Sequence, residues 1–158
     1  MDLLDRLLAH DAWTTGQLLA RCRELAPEQF AQPFDIGRGN LHDTFVHIVG
    51  ATEFWADHIS GRPRRRSIRE VPGPWTVDDL LARHREASAD FEAVARAVAD
   101  EGRLDEIMQV RDKRFTRGSA IVHVATHGMH HRAQVLNMLR RLGVGDLIEG
   151  DVISWELA

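Results

Sequence analysis

The chain has 158 residues, the size of one ordinary domain, with 44% hydrophobic and 28% charged residues, enough apolar content for a core and too much for a disordered or fibrous protein. A formal net charge of −4 argues against nucleic-acid binding by bulk charge. A single cysteine, Cys22, excludes an intrachain disulfide framework and a cysteine-based zinc site.

The opening "MDLLDRLLAHDAW" breaks its apolar residues with Asp2, Asp5 and Arg6, unlike a signal peptide. No stretch approaches the ~20 apolar residues of a membrane span, so a cytoplasmic protein with no membrane association is expected. Leu4, Leu7, Leu8, Leu18, Cys22 and Leu25 recur at helical spacing, which predicts a first helix from Leu3 to Leu25, stopped by Pro27. A polar link, "PEQFAQPFDIGRGN", follows. A second helix starts after an Asn40 cap, carries Leu41, Ile48, Ala51, Trp55 and Ile59 on one side, and ends at Gly61. The next loop, "GRPRRRSIREVPGPW", is long for a helix–helix connection and holds five arginines between 62 and 69. Its Gly61, Pro63 and Pro72 suit an exposed loop with solvated arginines, and binding of phosphate or an acidic partner is the alternative. Thr76 and Asp79 form a capping box for a third helix, with Leu80, Leu81, His84, Phe91 and Val98 on its apolar face. "LDEIMQVRDKRFTRGS" is read as a connection with a short turn or strand. A fourth helix spans Ser119 to Leu142 and stops at Gly143, and the tail "DLIEGDVISWELA" is apolar enough to pack back on the rest. With no repeats and few strand signals, residues 1–158 read as a single all-α domain, a four-helix bundle with a short irregular tail packed on it.

The segment "HVATHGMHHRAQVLNMLRRLG" concentrates four histidines in nine positions. At 100° per residue, Ala120, Val124, Gly128, Val135, Met138, Leu139 and Leu142 form one face. His131 falls within that face, about 40° from His127, which stands at its edge. His123 and His130 fall outside it. His127 and His131, four apart, can share a metal ion. Two imidazoles on an apolar face each need a polar partner, which a metal would supply. Gly128 stands where a metalloprotease H-E-x-x-H helix needs glutamate, and would let something approach the helix backbone. A third ligand must come from elsewhere. On the second helix His42 points away from the apolar face, while His47 and His58 both lie at its edge, a tie that periodicity does not break. His84 lies at the centre of the third helix's apolar face, as a core histidine, a fourth ligand or a base. His10 reads as solvent-facing.

Three segments, "HDAWTTGQLLARCREL", "GNLHDTFVHIVGATEFWADHISG" and the histidine-rich helix, together resemble the DinB-like family of four-helix-bundle metalloproteins over nearly the whole chain. The resemblance implies a metal held by one histidine of the second helix and by the first and last histidines of the H-G-x-H-H segment. These are His47, His127 and His131, which selects His47 over His58. His130 and Arg132 are typical of the motif without being ligands. The resemblance also implies an up-down-down-up course of the helices and a homodimer. Its members divide among thiol transferases, thiol-dependent isomerases and proteins with no assigned activity, and the family name gives no reason to expect DNA binding.

Three neutral imidazoles leave open positions on an ion, which suits catalysis; the ligand set accommodates Zn or Ni. A metal so held lowers the pKa of a thiol or water. Cys22, on an apolar helix face, is a poor nucleophile, so a low-molecular-weight thiol cosubstrate is expected. The leading expectation is a metal-dependent thiol S-transferase acting on a small-molecule electrophile, with arginines of the 62–69 loop holding the thiol's carboxylates. The alternatives are a metal-dependent hydrolase and a non-enzymatic metal-binding dimer. His84 is the candidate proton donor or acceptor.

Overall fold

A computed structural model describes every residue of the chain except Pro72, so the expectation of an exposed loop at that proline lies outside the described residues. Four long helices carry the fold: α1 (Leu3–Arg21), α3 (Leu41–Ser60), α4 (Val77–Asp100) and α5 (Arg117–Arg141). Asp2 and Asp5 cap the start of α1 reciprocally, each carboxylate accepting the other's backbone N–H at 2.8 Å. Asn40 accepts from the Asp43 N–H at the start of α3, and Thr76 and Asp79 form the expected capping box of α4. These caps satisfy amide groups that a helix start otherwise leaves unpaired. Gly61, with φ of 75°, ends α3 in the left-handed conformation, which glycine adopts without steric cost.

The helix ends fall within a few residues of the expected ones. The first differs most: regular α-helix stops at Arg21 and continues as a 3₁₀ turn over Cys22–Glu24. The polar link contains a short helix, α2 (Pro27–Phe30), whose Phe30 is buried against Phe45. Between α4 and α5 lies an antiparallel hairpin, β1 (Ile107–Val110) and β2 (Lys113–Thr116), with Met108 opposite Phe115. The tail forms a helical turn, α6 (Val152–Glu156), where an irregular tail was expected. Asp151 caps it, and it docks on α1 through Trp155 against His10 and an Arg6–Glu156 ion pair. Among the described residues, no helix is long and apolar enough to cross a membrane.

Both α1 and α3 pack against α4 and α5. Two apolar clusters fill the interior. One gathers Leu18, Phe45, Val49, Leu80 and Leu139, and the other Leu8, Ile59, Phe91, Ala120 and Val124. The positions that helical periodicity selects on α4 and α5, including His84, Gly128 and His131, are buried except Leu142; Ile121, Ala125, Arg132 and Leu136 are buried as well, so the inward face of α5 is wider than expected. His10 departs from expectation: it is buried, with a ring N–H donated to the Gly150 carbonyl at 3.1 Å. The tail covers it, and no wheel drawn on α1 alone contains the tail.

Candidate metal centre

His47 projects from α3, and His127 and His131 from adjacent turns of α5, into the space between those two helices. The Nε2 atoms of His47 and His127 stand 3.0 Å apart. The ring centroid of His131 lies 4.5 Å from that of each of the other two. One ligand atom from each of the three falls within 4.8 Å of the others. Two nitrogens bound at 2.0–2.1 Å to one tetrahedral ion are about 3.3 Å apart, so the two Nε2 atoms already sit within a few tenths of an ångström of a shared coordination sphere. The donor set fits a divalent metal and could hold one.

The electronic state of the rings fits as well. Burial, then the neighbouring histidines and Arg69, push the His127 imidazole down to about 4. Burial, opposed by the hydrogen bond to Gln134, lowers His131, with His130, Arg38 and Arg69 acting in the same direction as burial. Rings of this kind are neutral at pH 7 and keep a lone pair for a cation. Gln134 decides which nitrogen carries it. Its side-chain oxygen accepts from His131 Nδ1 at 2.9 Å, which fixes the tautomer with Nε2 unprotonated, while its amide nitrogen donates to His130 Nε2 at 2.9 Å. This is the outer-shell role that orients metal-binding histidines. Gln134 is absent from the expected site. Its spacing of three from His131 was the available signal. Gly37, in the left-handed conformation with φ of 57°, leaves room for the Gln134 side chain; a Cβ there would collide with it.

Of the two α3 histidines at the edge of the stripe, His47 is the one that joins the α5 pair. His58 turns back on its own helix, its Nδ1 donating to the Phe54 carbonyl at 2.8 Å and its ring stacked on Phe54. His123 leans on Trp55 and His127, and both His123 and His130 are exposed. His42 binds Asp43 at the start of α3. What approaches the α5 backbone at Gly128 is a buried ion pair between Arg132 and Asp11 of α1. A Cβ on Gly128 would lie 2.7 Å from Arg132 Nη1 and 2.8 Å from Asp11 Oδ1.

His84 is buried elsewhere, between α4 and α1. Its Nε2–H donates to the Ala12 carbonyl at 2.9 Å, and its Nδ1 accepts from the Ser88 hydroxyl at 3.3 Å. It lines a cavity with Ala12, Trp13 and Gly16, and none of the three clustered histidines lines that cavity. A different cavity, of about 380 Å³, opens beside His47 and His127, walled by Phe54 and Trp55 and by arginines of the 62–69 loop. That loop is only partly solvated: Arg62 and Arg65 bind the fully buried Asp57 at 2.6 and 2.7 Å and also reach Asp90.

No curated protein matches the chain. Among solved structures it is similar to a DinB-like protein of Bacillus cereus ATCC 10987, with a TM-score of 0.69 at 19% identity, over 86% of this chain and 88% of that one. It is also similar to the DinB-like protein YjoA of Bacillus subtilis, with a TM-score of 0.65 at 13% identity, over 89% and 94% of the two chains. At such identities the likeness shows the fold. The DinB family model matches residues 1–148, and the chain accordingly belongs to the DinB family.

Proposed function

We propose that the chain is a metal-dependent enzyme, a thiol S-transferase that joins a low-molecular-weight thiol to a small electrophile, with Zn or Ni held by His47, His127 and His131. The observation that carries this reading is the trio of imidazoles from two helices beside a cavity of ligand size. A bound divalent ion would supply the charge that brings a thiol's pKa toward neutrality. The protein's own residues do the rest. Burial keeps His127 and His131 neutral, Gln134 aims His131, and the cavity holds cosubstrate and electrophile together. The thiol sulfur forms the new bond to carbon as the leaving group departs with its electron pair, and the thiol proton passes to water.

Hydrolysis is supported less, because it calls for a proton-accepting group near the reacting water. The cavity's carboxylates are each engaged by arginine. On our reading His84 takes no part in proton transfer, since both ring nitrogens are spent within the α1–α4 interface. Cys22 is buried, its thiol pushed up to about 12 by desolvation, so the reacting sulfur comes from outside the chain.

The reading includes an up-down-down-up course. Supporting it, Asp2 pairs with Arg96 and Arg23 with Asp78, so opposite ends of α1 and α4 meet. Glu53 binds Arg83 and Asp57 shares Arg62 and Arg65 with Asp90, as for parallel α3 and α4. It also includes a cytoplasmic homodimer. Val122 and Met129, seven apart on α5 and about half exposed, offer an apolar contact there; light scattering at the 17.9 kDa monomer mass would remove the dimer. The activity is tested by metal analysis of the purified protein, followed by consumption of an alkylating electrophile with a panel of small thiols. Thiol-dependent turnover that chelation abolishes is expected. Ester hydrolysis without any thiol would favour the hydrolase, and bound metal with neither activity a non-enzymatic bundle.

A further inference from the structure

The cavity beside His47 and His127 is lined by the carboxylates of Glu53, Asp57 and Glu70 and by the guanidinium groups of Arg64, Arg65, Arg69 and Arg111. Every one of these acids already has a cationic partner. Arg83 holds Glu53 at 2.8 Å, Arg62 and Arg65 hold Asp57, and Arg64 holds Glu70 at 2.7 Å. Two positive charges are left over. Among the described residues, the guanidinium groups of Arg69 and Arg111 make no ion pair and no hydrogen bond, the backbone contacts of Arg69 with Ser67 and of Arg111 with Gln109 aside, so the cavity wall carries a local positive excess in a chain whose net charge is negative.

Both arginines are held in place by features that cost the fold something. Arg69 follows Ile68, a fully buried side chain that anchors the loop in a notch on α3. The notch exists because residue 50 is glycine: a Cβ there would come within 2.9 Å of Ile68 Cγ2. Arg111 opens the two-residue turn between β1 and β2 with φ of 57°. Residues with side chains disfavour that conformation, and glycine or asparagine is the ordinary choice in such a turn.

We infer that Arg69 and Arg111 form an anion subsite of this cavity. It takes a small molecule bearing a carboxylate or phosphate group, whose apolar body lies against Phe54 and Trp55. Guanidinium groups left without protein partners are suited to such groups through charge-assisted, paired hydrogen bonds. That the ligand's other end reaches toward the metal rests on the proposed function; the anion subsite does not.

The test uses calorimetric titration of the metal-free full chain with succinate and, separately, with inorganic phosphate. Binding of one of them is expected, and which one binds names the anionic group. Arg69→Ala and Arg111→Ala should each weaken it by roughly tenfold or more, the loss of a charged hydrogen bond. Arg66→Ala, at an exposed arginine bonded to the Glu70 carbonyl outside the cavity, should leave it unchanged. Arg111→Gly should weaken anion binding while leaving the melting temperature equal or higher, because glycine relieves the turn. No binding of either anion at millimolar concentration, or binding that survives both alanine variants, overturns the subsite. Zinc stoichiometry measured on the same variants separates the two claims. A protein that takes up zinc but ignores both anions loses the subsite alone, and one that binds an anion but no metal loses the metal reading alone.

Discussion

Of the polar side chains built into the helix interfaces of this protein, two groups differ in how their hydrogen bonding is spent. Between α1, α4 and α5, Arg132 meets Asp11 and donates to Thr15 at 3.2 Å, and His84 is bonded to Ala12 and Ser88. Between α3 and α5, His47, His127 and His131 face one another and, among the described residues, have no acid and no backbone carbonyl as partners toward the centre. The first group spends its polarity inside the fold. The second has lone pairs left over, pointed at a common spot. Burial alone does not mark a functional polar residue, since Arg132 and His84 are as buried as His131; unspent bonding capacity does.

The comparison is broken most directly at the histidines. Alanine at His47, His127 or His131 should take bound metal from about one per chain to near zero, a loss beyond the roughly 10–100-fold that removing an outer-shell partner brings. Alanine at His42, His123 or His130 should leave it in place. Elemental analysis after dialysis checks all six. If a control variant loses metal as the trio does, unspent bonding capacity does not mark the site.

Next in size is the other group. Arg132→Ala leaves the Asp11 carboxylate without its cation in an interface where burial already raises its pKa against the pull of Arg132. Breaking a buried pair in this way costs about 3–5 kcal/mol, to be read from urea unfolding. Gly128→Ala should cost about 1–3 kcal/mol by crowding the same pair. The folded fraction of either variant should still bind metal, and a variant that is stable but metal-free would show that the two groups are one.

Gln134→Ala sharpens the comparison, because it touches the histidine trio without removing any of its rings. It frees the His131 ring to change tautomer, and metal affinity should fall roughly 10–100-fold with little change in the stability of the metal-free protein. A competition titration against a chromophoric chelator measures it, and an unchanged affinity would reduce Gln134 to packing.

The smallest expected effect is on pH dependence. Burial pushes the His127 imidazole down to about 4 in the folded chain against about 6.5 unfolded. As pH falls, the unfolded state therefore takes up the proton first. The stability tied to this ring is complete above about 6.5 and is lost progressively down through 4. Urea midpoints of the metal-free protein at pH 7 and 5 should differ more for the native chain than for His127→Gln. Equal differences would mean the ring is not held neutral by the fold.

Most of the architecture was legible in the chain. The caps at Asn40 and Thr76, the glycine stop at Gly61 and the periodicity of α5 are local, and short-range sterics and hydrogen bonding decide them. Helical periodicity singles out His127 and His131 because their inward placement follows from which stripe of one helix is apolar. Its limit shows at His47 and His58, which lie at the same edge of their stripe. The family resemblance chose His47, and the physical difference between the two lies in the α5 rings opposite His47 and the carbonyl that captures His58. The short α2 and α6 helices and the paired strands escaped firm reading because a few residues carry too little periodic signal.

What the sequence determined by itself, then, was an all-α chain with two histidines on one inward helical face. Tertiary structure alone decided what each polar group found to bond with. It buried His10 under a tail 140 residues away, gave Gly128 to an ion pair and brought Gln134 to His131. It divided the arginines of the 62–69 loop between carboxylate partners and an open cavity. Those outcomes depend on distances between elements far apart in the chain, and hydrophobic periodicity records only which side of an element faces inward.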